Sequence, residues 1–192
     1  MGADQRMFPC MWDDLHDLHR CEWIVHNGER TIRQVAESMV AKYGIVDGDT
    51  IVGASLGGMV ACEISKFVNI KQLFLVGSAI NSDEVNSLLN MIHPLAKYAP
   101  LDWIRVSSGK IPLDITQMFT GIEASFVRAM CDAIFEWEGL LDDTRVQVFR
   151  MHGKFDMIIP TPEHVDLLLN GGHLISITHE AECVNFIKAK LN

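Results

Sequence analysis

Gly53-Ala54-Ser55-Leu56-Gly57 stands where an apolar run, Thr50-Ile51-Val52-Gly53, gives way to a helical one, Gly58-Met59-Val60-Ala61-Cys62-Glu63-Ile64. A serine between a buried strand and a helix must occupy a turn so tight that its backbone is strained. Glycines two before and two after it remove Cβ atoms that would clash there. The hydroxyl is then held clear of the sheet, over the N-terminus of the helix, where developing negative charge is favoured. Chance produces Gly-x-Ser-x-Gly in roughly one of fifteen to twenty chains of this length. The pattern therefore takes its weight from its surroundings, and its bland alternative is a glycine turn before an ordinary helix.

Outward from that turn, strand-like and helix-like stretches alternate. Glu22-Trp23-Ile24-Val25-His26 is a strand candidate before the turn Asn27-Gly28. Over 31–43, Ile32, Val35, Ala36, Met39, Val40 and Tyr43 fall on one helical face. Asp47-Gly48-Asp49 marks a turn into the strand before Ser55. Gln72-Leu73-Phe74-Leu75-Val76-Gly77 is a continuous apolar run, as buried parallel strands are. Val146-Gln147-Val148-Phe149-Arg150-Met151 is a further strand candidate. Thr161-Pro162-Glu163 starts a helix well, with Thr as cap and Pro in the first turn. Gly171-Gly172 ends it, Leu174-Ile175-Ser176-Ile177 reads as a last strand, and 180–191 as a last helix. Such alternation predicts an α/β fold: a mostly parallel sheet with helices on both faces, and ligands at the carboxyl ends of its strands.

Residues 79–144 break the rhythm, with helical patterns at 83–92 and 122–136. Phe126, Met130 and Ile134 share one face. One reading is a pair of helices packed on the sheet. The other is a small helical insert capping Ser55, with Met91, Ile92, Trp103, Ile104, Met118 and Phe119 as its apolar underside.

The totals bound the class. The 192 residues are most simply one domain, 1–192, with 48% hydrophobic and 21% charged residues. A net charge of −9 argues against nucleic acid and against an anionic membrane surface. No stretch approaches the roughly eighteen apolar residues of a membrane span. The absence of a charged-then-apolar leader predicts a cytoplasmic location. Five cysteines, Cys10, Cys21, Cys62, Cys131 and Cys183, are scattered without a Cys-x-x-Cys pair and read as reduced thiols. No zinc-ligand spacing is present. His16 and His19, with Asp13, Asp14 and Asp17 nearby, read as a solvated polar face rather than a metal site.

A serine hydroxyl is a poor nucleophile until a base takes its proton, and the base needs a partner to fix its tautomer. In a sheet of this kind the order is Ser, then Asp or Glu, then His, each beyond a later strand. His152-Gly153-Lys154-Phe155-Asp156-Met157-Ile158-Ile159-Pro160 supplies Asp156 after a strand, and Gly171-Gly172-His173-Leu174 supplies His173 seventeen residues later. His164 and His179 read as surface or packing histidines, and His152 as ordering the turn ahead of Asp156. Asp83 and Glu84 are the fallback position for the acid.

With these motifs in hand, the chain resembles an α/β-hydrolase over nearly its whole length. Gly53-Ala54-Ser55-Leu56-Gly57-Gly58 matches the serine turn, His152 to Pro160 the His-Gly-x-x-Asp-x-x-x-Pro acid loop, and Gly172-His173 the histidine loop. The resemblance implies Ser55 as nucleophile, Asp156 as acid and His173 as base. It also implies an oxyanion hole, with one donor the Leu56 N–H. The other comes from the opening stretch Met1-Gly2-Ala3-Asp4-Gln5-Arg6-Met7-Phe8, with Met1, Gly2 or Ala3 as donor. In the family that loop follows a strand, a helix follows it (here Trp12, Leu15 and Leu18 on one side), and this sequence opens just after the strand. The expectation is a sheet lacking its usual N-terminal strands. Either the strands flanking the gap pair directly or another chain supplies the edge, which favours a dimer.

The function implied is that of a serine hydrolase cleaving a carboxylic ester or thioester, needing no metal or organic cofactor and acting on a small acyl substrate. The alternative is a ligand-binding protein without catalysis on a hydrolase scaffold, motivated by the missing strand.

Overall fold

The computed structural model describes residues 4–85, 123–140 and 145–191. Among these residues four parallel strands form one sheet in the order β1-β2-β3-β4: β1 Thr50–Ala54, β2 Gln72–Val76, β3 Gln147–Gly153 and β4 Leu167–Leu169. Gly53 lies opposite Leu75, Leu75 opposite Arg150, and Gly153 opposite Leu169. The α-helices among the described residues are α1 Ile32–Tyr43, α2 Leu56–Ile64, α3 Ala124–Phe135, the one-turn α4 Ile175–Thr178, and α5 Glu180–Leu191.

The apolar run 72–76 is buried along its length because both faces of the sheet are covered. Leu73 and Leu75 join one core, built on α1, α2 and α3. Phe74 and Val76 join the other, with Trp12, Ile175, Cys183, Val184 and Ile187. Trp12 sits in a 3₁₀ turn, Cys10–Asp14, and its indole N–H donates to the Ser176 carbonyl at 2.9 Å. The helix expected around Trp12, Leu15 and Leu18 is therefore a single 3₁₀ turn among the described residues. Helix α1 starts on a Thr31–Gln34 capping box and stops at Gly44, whose φ of 64° is left-handed. Ile32, Val35, Ala36 and Met39 are buried as the spacing predicts, and Val40 and Tyr43 pack beside them.

Three further expectations are corrected. Residues 22–26 form no strand. No described strand is paired with them, and they are tied to the end of α1 instead, through Tyr43 Oη, which donates to the Glu22 carbonyl and accepts from the Glu22 N–H, each at 2.8 Å. The stretch begun by Thr161-Pro162-Glu163 is not helical. It leads into β4, which pairs with Met151 to Gly153. The expected last strand at 174–177 is instead the one-turn α4, with Ile175 and Ser176 buried.

Of the insert, α3 is described. Phe126, Met130 and Ile134 are buried in the core on the α1–α2 face, so this helix is packing rather than cap. Met91, Ile92, Trp103, Ile104, Met118 and Phe119 lie outside the described residues, as do Met1, Gly2 and Ala3. The strand Thr50–Ala54 that leads to Ser55 is an edge of the sheet among the described residues, and its outer side is not paired with 22–26.

Candidate active site

Ser55 sits between the last residue of β1 and the first of α2, with φ 51° and ψ −126°. A non-glycine residue adopts this backbone only when its surroundings hold it there. They do so through both backbone groups: the Ser55 N–H donates to the Val76 carbonyl at 3.1 Å, and the Ser55 carbonyl accepts from Gly58 N–H at 2.9 Å and from Ser78 Oγ at 2.7 Å. Space is cleared by glycine, but not by the pair the motif suggests. A Cβ on Gly53 would lie 2.6 Å from the Gly58 nitrogen, and one on Gly58 would lie 2.6 Å from Ser78 Cβ, whereas one on Gly57 would meet nothing within 4 Å.

The acid and the base arrive on neighbouring loops. Beyond β3, Lys154 N–H donates to the Leu169 carbonyl at 2.8 Å and Phe155 N–H to the Gly171 carbonyl at 2.9 Å, which fastens the acid loop to the histidine loop. Gly153 permits this approach: a Cβ there would lie 2.6 Å from the Gly171 carbonyl oxygen. Gly77, at φ 53°, closes the floor, since a Cβ on it would lie 2.9 Å from the His173 carbonyl oxygen.

The structure brings Ser55, His173 and Asp156 into one line. His173 Nδ1 is 2.8 Å from Asp156 Oδ2, and His173 Nε2 is 3.0 Å from Ser55 Oγ. An ionised carboxylate only accepts, so Nδ1 carries the proton and Nε2 is left to accept from the Ser55 hydroxyl. The other carboxylate oxygen, Oδ1, accepts from the Ile158 and Ile159 N–H groups at 2.9 and 3.0 Å. Burial by itself would push the Asp156 carboxyl up. Hydrogen bonds from His152, His173 and Ile159, with the attraction of His173, outweigh it and hold Asp156 well below the usual carboxylate range. Asp156 is buried while Ser55 and His173 remain partly exposed, so the reactive end of the line faces outward.

Leu56 is the first residue of α2, and its N–H has no acceptor within the helix. As the residue after Ser55, it stands at the turn that carries the hydroxyl. The beginning of the chain comes to the same place: Met7 and Leu174 are buried together, with Phe8, Ala54 and Ile177 packed against them. Met7 thus lies beside the residues next to Ser55 and His173 in sequence.

Other candidates go elsewhere. Glu84 forms a two-pronged ion pair with Arg150 at 2.9 and 2.6 Å and accepts from the Ile80 N–H, and Asp83 is exposed. The fallback acid is therefore engaged away from His173. His179 bonds Thr178 Oγ1 at 2.8 Å, and His164 is exposed. Asp13 pairs with Arg20, and Asp14 with Lys188 at 3.3 Å. Sequence reading passed over Gly77 and Ser78. Their signal was present: a Gly-Ser step straight after the buried run 72–76.

No protein-family model and no curated protein matches the chain. Solved structures do. It is similar to an enol-lactonase from Burkholderia xenovorans LB400 (TM-score 0.78, 14% identity, 99% of this chain and 87% of that one). It is also similar to a hydrolase from Oleispira antarctica (0.74, 13%, 98% and 88%). A third likeness is to a thermophilic esterase from Thermogutta terrifontis (0.70, 16%, 98% and 85%). The chain has the α/β-hydrolase fold. Among the described residues no helix is long and apolar enough to cross a membrane.

Proposed function

We propose that this protein is a serine hydrolase that cleaves a carboxylic ester or thioester through an acyl-enzyme on Ser55. One observation carries the reading: an unbroken hydrogen-bonded line from the Ser55 hydroxyl through His173 to the buried Asp156, at 3.0 and 2.8 Å. The structural likeness to proteins described as an enol-lactonase and an esterase supports an acyl substrate.

In this scheme Ser55 Oγ attacks the acyl carbonyl while His173 Nε2 takes its proton. Asp156 stabilises the imidazolium and keeps Nδ1 protonated. The carbonyl oxygen, now negative, accepts from the Leu56 N–H at the start of α2 and from a second donor in residues 1–3. The packing of Met7 against Leu174, with Ala54 beside them, supports the opening stretch as the source of that donor. His173 then returns the proton to the leaving alcohol or thiol. A water activated by the same nitrogen frees the acid and restores Ser55. The scheme calls for no metal or organic cofactor.

A fluorophosphonate probe tests it. Such a probe phosphonylates only an activated serine, so the wild type becomes labelled and Ser55→Ala does not. His173→Ala, left with no base, labels at least about a hundredfold more slowly. Equal labelling of wild type and Ser55→Ala would end the reading. No labelling of a folded wild type that retains an acyl ligand would favour the binding-protein alternative.

A further inference from the structure

A second imidazole lies beside Asp156. His152, the last residue but one of β3, is 1% exposed, and its Nε2 lies 3.3 Å from Asp156 Oδ2, the same oxygen that receives His173. That nitrogen also lies 2.8 Å from the Ile159 carbonyl oxygen. A carbonyl only accepts, so Nε2 carries hydrogen; that N–H is bonded to Ile159, and Asp156 Oδ2 lies within reach of the same nitrogen. Ile159 closes the circuit, because its own N–H donates to Asp156 Oδ1. The carboxylate thus has two backbone donors on one oxygen and two imidazole nitrogens beside the other: His173 at 2.8 Å, which leads to Ser55, and His152 at 3.3 Å, which is bonded to Ile159.

We propose that His152 is a positioning residue: its shared N–H holds Asp156 Oδ2 in line with His173 and draws off part of the charge with which Asp156 pulls on the His173 proton. The proposal rests on the serine-hydrolase reading for its consequence but not for its geometry. The titratable groups bonded to Asp156 are His152 from β3 and His173 from the loop before α4. Ser55 joins from the β1–α2 turn through His173, while Arg150, on β3 two residues earlier, pairs with Glu84.

Charge sharing has a direction. With the His152 N–H removed, Oδ2 is more basic, the His173 imidazolium is better stabilised, and deprotonation of the base requires a higher pH. The expected readout is the rate of fluorophosphonate labelling of Ser55 against pH. His152→Leu, which has no donor, moves the acidic limb up by roughly 0.5 to 1 pH unit. His152→Gln, whose amide reaches about where Nε2 stands, returns the limb to the wild-type position. A role in packing alone would slow or destabilise both variants and leave the limb in place. A limb that stays or falls in His152→Leu, or that moves equally in both variants, overturns the proposal.

A second measurement needs neither activity nor a tolerated leucine. In wild-type protein with ¹⁵N-labelled histidine, the signals lost in His152→Gln belong to His152, and they report hydrogen on Nε2. Hydrogen on Nδ1 alone overturns the proposal whatever the labelling result. A wild type inert to the probe but with the expected tautomer would instead count against the hydrolase reading.

Discussion

Ser55 keeps its positive φ because three hydrogen bonds and two cramped glycines leave it no other conformation. A left-handed residue with a Cβ costs on the order of 1–2 kcal/mol, which the rest of the turn must offset. The two glycines after the serine differ in what they contribute. Gly58→Ala drives a methyl into Ser78, displaces the hydroxyl that bonds the Ser55 carbonyl, and lowers stability by about 1–3 kcal/mol. Gly57→Ala adds a methyl in open space inside a helix and is neutral or stabilising by up to about 1 kcal/mol. Urea midpoints of the two variants test this. Matching midpoints would mean that the crowding at Gly58 is relieved by movement of Ser78.

At the scale of elements, the ends of the sheet are joined by contacts that run past the strands. The 3₁₀ turn Ser82–Glu84, which follows β2, is fastened to β3 by the Arg150–Glu84 pair, and Arg150 N–H also donates to Asp166 ahead of β4. Both side chains of the pair are largely buried, so removing one charge strands the other. Glu84→Gln is expected to destabilise the fold by roughly 2 kcal/mol. Its folded fraction should react with the fluorophosphonate at the wild-type rate, because Glu84 does not touch His173. A stable Glu84→Gln that fails to label would return Glu84 to candidacy as the acid.

For the whole molecule, acid is the revealing condition. Neutralising the twenty-five acidic side chains leaves sixteen Lys and Arg and eight His unopposed, so the folded chain repels itself. Asp156 adds a specific loss. Its carboxyl is held below the usual range in the folded state, so its contribution is complete above the unfolded value, near pH 4, and is lost as the pH falls through the lower folded value. Asp156→Asn cannot titrate, so its stability should fall less steeply than the wild type's below about pH 4. Urea midpoints measured across that range decide it, and parallel curves would mean that Asp156 is no more acidic folded than unfolded.

The three motifs around Ser55, Asp156 and His173 could be read directly because each is local: glycines and a chemical side chain at fixed spacing within a single turn. Their order along the chain, with the alternation of apolar strands and amphipathic helices, was enough to indicate the α/β-hydrolase fold. Helix α1 was legible down to its buried face for the same reason, since its cap, stop and periodicity lie within fourteen residues. Short extended segments were not. Residues 22–26 and 167–169 have similar intrinsic claims to be strands, yet only Leu167–Leu169 has β3 alongside to bond with. Leu174-Ile175-Ser176-Ile177 has strand-like composition and became a helical turn, because burying Ile175 and accepting the Trp12 indole N–H at Ser176 suited that geometry. A helix closes its hydrogen bonds within itself, whereas a strand of three to five residues exists only where a neighbour offers an edge. That neighbour, like the serine beneath Gly58, comes from a distant part of the chain and was decided by tertiary structure alone.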